Sequence, residues 1–122
     1  MTALWVALGA LVGAPLRMLA DRTAVALRGP GSVLGILSVN VAGSAVLGVL
    51  LGLRDVSPAV LALVGTGFCG TLTTFSTFGY DVVRMVEERA ALRAAGYLAG
   101  SLVLGLGAAA VAYLGAAALA GR

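Results

Sequence analysis

The stretch VSPAVLALVGTGFCGTLTTFSTFGY, residues 56–80, carries no charge, yet it threads Gly, Thr and Ser through the middle of an apolar run. Its length suits a membrane crossing, since about 20 apolar residues rising about 1.5 Å each span a hydrocarbon core of about 30 Å. Its content does not suit an unbroken helix. Gly costs about 1 kcal/mol against Ala in a helix, and Thr and Ser offer the backbone competing hydrogen bonds. The run therefore predicts a helix broken near residues 70–75. Backbone released at membrane depth is tolerated only where it is buried in protein or lines a watery cavity, and its free carbonyls are able to hold a cation.

Outward from this stretch, the remaining uncharged runs are residues 1–16, 31–53 and 94–121. The first is short, but Met18, Leu19, Ala20 and Thr23 to Leu27 resume its apolar pattern after Arg17. The expectation is an all-α membrane protein with four transmembrane helices in a single domain, residues 1–122. The helices fall at about 3–27, 31–53, 58–93 with the break, and 94–120. Arg28-Gly29-Pro30-Gly31 and Arg54-Asp55-Val56-Ser57-Pro58 mark two turns, with Pro58 suited to a first helical turn. Asp81 to Arg93 reads as a water-facing helical extension, and Arg17 and Asp21, one turn apart, are placed to pair. A cleaved signal peptide competes for the opening run, but no Lys or Arg precedes it. The pairs Gly9/Gly13, Gly48/Gly52 and Gly96/Gly100 have the small-xxx-small spacing that lets helices approach closely in lipid, within or between subunits.

Composition agrees with a lipid solvent and excludes much chemistry. Of the 122 residues, 61% are hydrophobic and 11% charged, with a mean hydropathy of +1.08; a soluble domain averages about 25% charged residues. There is no His, so neither a Ser-His-Asp hydrolase nor a His-liganded metal site is available. All eight basic residues are Arg, which removes the P-loop lysine and any lysine Schiff base. Cys69 is alone, and a net charge of +3 over an apolar chain is no nucleic-acid stripe. A small proton-coupled multidrug exporter needs a carboxylate deep in the membrane, whereas every Asp and Glu here lies near a segment end. An enzyme lacks the cluster of acids, bases or ligands it would need.

Few polar side chains enter the spans. Asn40 and Ser44 share a helical face with Gly48 and Gly52, and either a hydrogen bond to a neighbouring helix or a polar site explains Asn40. Tyr97 and Ser101 sit one turn apart, as a helix contact or a polar track. Phe75 and Phe78 are near neighbours on a helix; such a pair is ordinarily core or lipid-facing, but here it is interleaved with hydroxyls.

The run Gly70-Thr71-Leu72-Thr73-Thr74-Phe75-Ser76-Thr77-Phe78, preceded by Ser38 to Ser44 and by Gly13-Ala14-Pro15-Leu16-Arg17, strongly resembles the Fluc (CrcB) fluoride ion channels along the whole chain. The resemblance implies an antiparallel, dual-topology dimer of four-helix subunits in the cell membrane, with two pores exporting toxic fluoride passively. By that resemblance Phe75 and Phe78 are the paired pore phenylalanines, and Asn40 is the pore asparagine. Ser76 and Thr77 supply the hydroxyls after the first phenylalanine, and Tyr97 and Ser101 the polar track. Arg17 stands near the aqueous vestibule, and the Gly70 and Thr73 carbonyls from both subunits hold a structural sodium ion. Two positions depart from the pattern: Ile36 stands where the family often has Thr, and Gly105 where the track can carry a hydroxyl. A non-conducting assembly subunit remains a rival. With the N-terminus inside, Arg54 and Arg122 would face the cytoplasm, and Arg28, Arg84, Arg89 and Arg93, with Arg22 nearby, the other side. The positive-inside rule favours the reverse. Either the neighbouring acids blunt this bias in a homodimer, or the chain inserts one way and pairs with an oppositely oriented homologue.

Overall fold

A computed structural model describes residues 1–29 and 32–121. The part of the first turn at Pro30 and Gly31, the expected start of the second span at residue 31, and Arg122 lie outside the described residues. Helix α1 runs over Thr2–Arg28 and α2 over Leu34–Gly52. The third span is broken: α3, residues 58–72, is followed by α4, Ser76–Glu87. The last helix, α5, covers Ala91–Leu119. No strand occurs among the described residues, and four spans, Thr2–Arg28, Leu34–Gly52, Pro58–Glu87 and Ala91–Leu119, are long and apolar enough to cross a membrane.

Local chemistry sets the ends. Gly29 closes α1 at φ 95°, a left-handed position suited to glycine. Pro58 occupies the first turn of α3, where Ser57 Oγ accepts from the Val60 N–H at 3.2 Å. The expected third span, 58–93, proves too long. Its helix ends at Glu87, Arg89 turns the chain at φ 61°, and α5 begins at Ala91 rather than 94, so that Arg93 belongs to α5. The break is narrower than 70–75: Gly70–Leu72 remain helical, and Thr73 to Phe75 leave the helix. Between Leu61 and Cys69, α3 is wound as a π-helix, a form that local propensity does not announce.

Large apolar side chains such as Leu11, Leu19, Val103 and Leu106 face outward, as lipid permits and water does not. The helices meet instead through small residues. A Cβ added at Gly67 of α3 would lie 2.5 Å from the Val6 carbonyl oxygen and 3.0 Å from the Gly9 Cα of α1, so the two backbones touch. Gly48 and Gly52 meet Ala109 and Tyr113 of α5 in the same way, whereas Gly96 and Gly100 face open space within the subunit. Met85, Ala94 and Tyr97 form a buried cluster that receives Phe78 and joins α4 to α5. The expected Arg17–Asp21 pair is absent: among the described residues the ion pairs join Arg84 to Asp81 at 3.5 Å and to Glu88 at 3.6 Å.

Candidate functional site

The break is a substitution of hydrogen-bond partners. In a continuous α-helix the Thr74 N–H would donate to the Gly70 carbonyl, and the Thr77 N–H to that of Thr73, each four residues back. Here Thr74 N donates to Asn40 Oδ1 at 2.9 Å, and Thr77 N donates to Thr74 Oγ1 at 3.3 Å. Thr73 is extended, at φ −80° and ψ 154°. Its N–H and hydroxyl both donate to the Cys69 carbonyl, at 3.0 and 2.8 Å, which finishes α3. Asn40 Nδ2 in turn donates to the Thr74 carbonyl at 3.2 Å. The carbonyls of Gly70 and Thr73 thereby lose their helical partners.

These groups border a crevice of about 380 Å³ between α2, the break and α5. Asn40, Ser44, Gly70, Thr73, Phe75, Phe78 and Ser101 line it, and so do Thr74 and Gly105. It opens on the outside of the subunit, where Phe75 is 84% exposed. The rings of Phe75 and Phe78 stand 6.2 Å apart at 51°, and Phe78 meets Tyr97 edge-on at 5.0 Å and 60°. Among its lining residues no Asp, Glu or Arg occurs. The Tyr97 hydroxyl and Ser101 Oγ are buried and have no hydrogen-bond partner among the described residues. Such a hydroxyl costs about 1–3 kcal/mol unless water or an ion serves it.

The crevice thus gathers Asn40, Phe75, Phe78 and Ser101 with Gly70 and Thr73, and Tyr97 lies behind Phe78. Ser76 and Thr77 stand elsewhere: their hydroxyls lie 3.4 and 3.3 Å from Thr74 Oγ1, around the start of α4. Arg17, half-buried on α1, does not line the crevice. Ile36 is 3% exposed and packs in the core, while a Cβ at Gly105 would lie 3.6 Å from Ser44 Oγ. Sequence reasoning missed Thr74, whose hydroxyl caps α4 and whose main chain meets Asn40. The signal was available: a Thr three residues before Thr77, at the head of a new helical run, is the spacing of a helix cap.

Fold and site together define a small multi-pass membrane protein with an uncharged polar crevice at a broken helix. The chain belongs to the CrcB family, because the family model described as "CrcB-like protein, Camphor Resistance (CrcB)" matches residues 4–116. Relatives named fluoride-specific ion channel FluC 1 are similar over most of their length. The one from Nocardia farcinica is 47% identical, over 84% of this chain and 69% of its own. Those of Streptomyces avermitilis and Thermobifida fusca are each 43% identical, covering 83% and 89% of this chain and 84% and 90% of theirs.

Proposed function

We propose that this chain is the subunit of a fluoride-selective ion channel that lets fluoride leave the cell passively across the plasma membrane and so protects against its toxicity. The observation that carries the reading is the uncharged crevice, in which the unpartnered Ser101 hydroxyl adjoins a pair of phenylalanine rings, with the unpartnered Tyr97 hydroxyl behind Phe78. Fluoride is small and strongly hydrated, so a narrow path must replace its water with donors, and hydroxyls and an amide do this without a fixed positive charge that would trap the ion. An aromatic ring carries its positive potential at the edge, so Phe75 and Phe78 would contact an anion weakly. The names of the relatives support the choice of ion.

The open crevice is half of a path, and a second, antiparallel copy would close it. The Gly70 and Thr73 carbonyls suit a hard cation such as sodium. Two oxygens are a partial ligand set, which a second copy would complete; the ion would then tie the two breaks together. One observation favours a second version, with an oppositely oriented homologue as partner. Arg54 Nη2 donates to the Gly121 carbonyl at 3.1 Å, so the α2–α3 loop and the C-terminus share one end of the bundle. Arg28, Arg84, Arg89 and Arg93 lie at the other, a bias that favours one orientation.

The test is fluoride efflux from liposomes holding only the purified protein, read by ion-selective electrode beside a chloride control. Fast fluoride release without chloride is expected. No release from folded protein would reject the self-sufficient channel; release restored by adding a homologue would establish the paired version. Reporters at the C-terminus, read on both sides of the membrane, decide orientation, and a one-sided signal removes the homodimer.

A further inference from the structure

We infer that Asn40 serves the break as a positioning residue: its carboxamide clamps both polar groups of the Thr74 main chain and so keeps residues 73–75 out of the helix. The two bonds, Thr74 N to Oδ1 at 2.9 Å and Nδ2 to Thr74 O at 3.2 Å, match the reciprocal pair that one residue exchanges with another across an antiparallel sheet, here supplied by a side chain. They also assign the amide, because its oxygen must face the N–H and its nitrogen the carbonyl. Thr74 is 9% exposed, so water is a poor substitute for either bond. Without Asn40, the acceptor that a continuing helix would offer the Thr74 N–H is the Gly70 carbonyl, and taking it would extend α3 through the break. Thr74 Oγ1 repeats the substitution one turn later, receiving the Thr77 N–H that would otherwise close on Thr73. Both released carbonyls thus trace to two side chains, one of them 34 residues away in the chain.

The clamp uses one of the two Nδ2 hydrogens, and the other is left for the crevice that Asn40 lines. One amide therefore holds two separable roles, support of the break and direct donation to an ion. The inference is that the first decides. Its consequence for permeation rests on the fluoride-channel reading, whereas the clamp itself does not.

Asn40→Asp separates the roles. A carboxylate has no hydrogen for the Thr74 carbonyl, but a protonated carboxyl offers one hydrogen and one acceptor, enough for the clamp and none to spare. An Asp carboxyl ordinarily titrates at about 3.9, so a pH below that value supplies the hydrogen. The full-length protein would be studied in nanodiscs for hydrogen exchange at the Thr74 amide. Planar bilayers would give fluoride current, to which neutral hydrogen fluoride contributes nothing. Each variant is compared with the unaltered protein at the same pH, and Asn40→Leu serves as a variant without donor or acceptor.

At about pH 7.5, Asn40→Asp and Asn40→Leu are expected to exchange Thr74 at least about tenfold faster, and to conduct at least about tenfold less. At about pH 3, Asn40→Asp alone returns to within about threefold on both measures. A Thr74 amide as protected in Asn40→Leu as in the unaltered protein would overturn the clamp. Failure of Asn40→Asp to regain protection in acid would count against it as well. Regained protection without regained current would show that the spare hydrogen, and direct contact with the ion, decides instead. If the unaltered protein carried no fluoride current, the channel reading would fail, and hydrogen exchange alone would judge the clamp.

Discussion

The seam between α1 and α3 and the break between α3 and α4 lie on one span and answer the same constraint in opposite ways. At the seam, Gly9 and Gly67 remove their side chains and let two backbones touch, each helix keeping its own hydrogen bonds. At the break, the backbone gives up helical bonds and side chains take their place, Asn40 for Thr74 and the Thr74 hydroxyl for Thr77. A bilayer leaves no water to satisfy a released peptide group, so a chain either keeps its helix or supplies a replacement partner. The first course makes a dry, rigid contact, and the second leaves polar groups beside a crevice.

This contrast makes predictions of decreasing size. Gly67→Val forces a side chain into the Val6 carbonyl and Gly9, and should cost about 3 kcal/mol or abolish the folded subunit in a denaturant titration; normal stability would mean that the seam yields. Phe75→Ile should leave stability alone, because the ring is 84% exposed, yet lower fluoride efflux at least about tenfold, about 1.4 kcal/mol in barrier. Loss of stability with intact flux would reverse the roles given to the two regions. Thr74→Val removes the cap of α4 and should cost about 1 kcal/mol in thermal unfolding, while Thr74→Ser should retain most of it. Gly100→Ala, open inside the subunit, should stabilise α5 by about 0.5–1 kcal/mol. Lowered dimer recovery in that variant would instead place a partner on this face. Arg54→Ala loses one exposed bond to Gly121 and should shift stability by about 0.5 kcal/mol at most.

Much of this architecture was legible beforehand. The four spans follow from hydropathy, the break from Gly, Thr and Ser between residues 65 and 79, and the family from residues 70–78. Length and content suffice for these because a bilayer scores residues one at a time and a helix adds neighbours along the chain. The finer site was less visible. Asn40 and Ser44 stood out as polar residues in lipid, but nothing local tied Asn40 to Thr74, and the π-helical winding of Leu61–Cys69 has no local signature. Three glycine pairs had one spacing, yet Gly9 and Gly48 touch neighbouring helices and Gly96 faces outward.

The sequence alone therefore determined the solvent, the number of crossings and where the third of them gives way, since each depends on the composition of a short run. Only the tertiary structure decided which side chains take up the released backbone bonds and which hydroxyls remain without partners. Those outcomes depend on groups far apart in the chain, such as Asn40 and Thr74 at a separation of 34 residues, which meet only after α2 has packed beside the broken span.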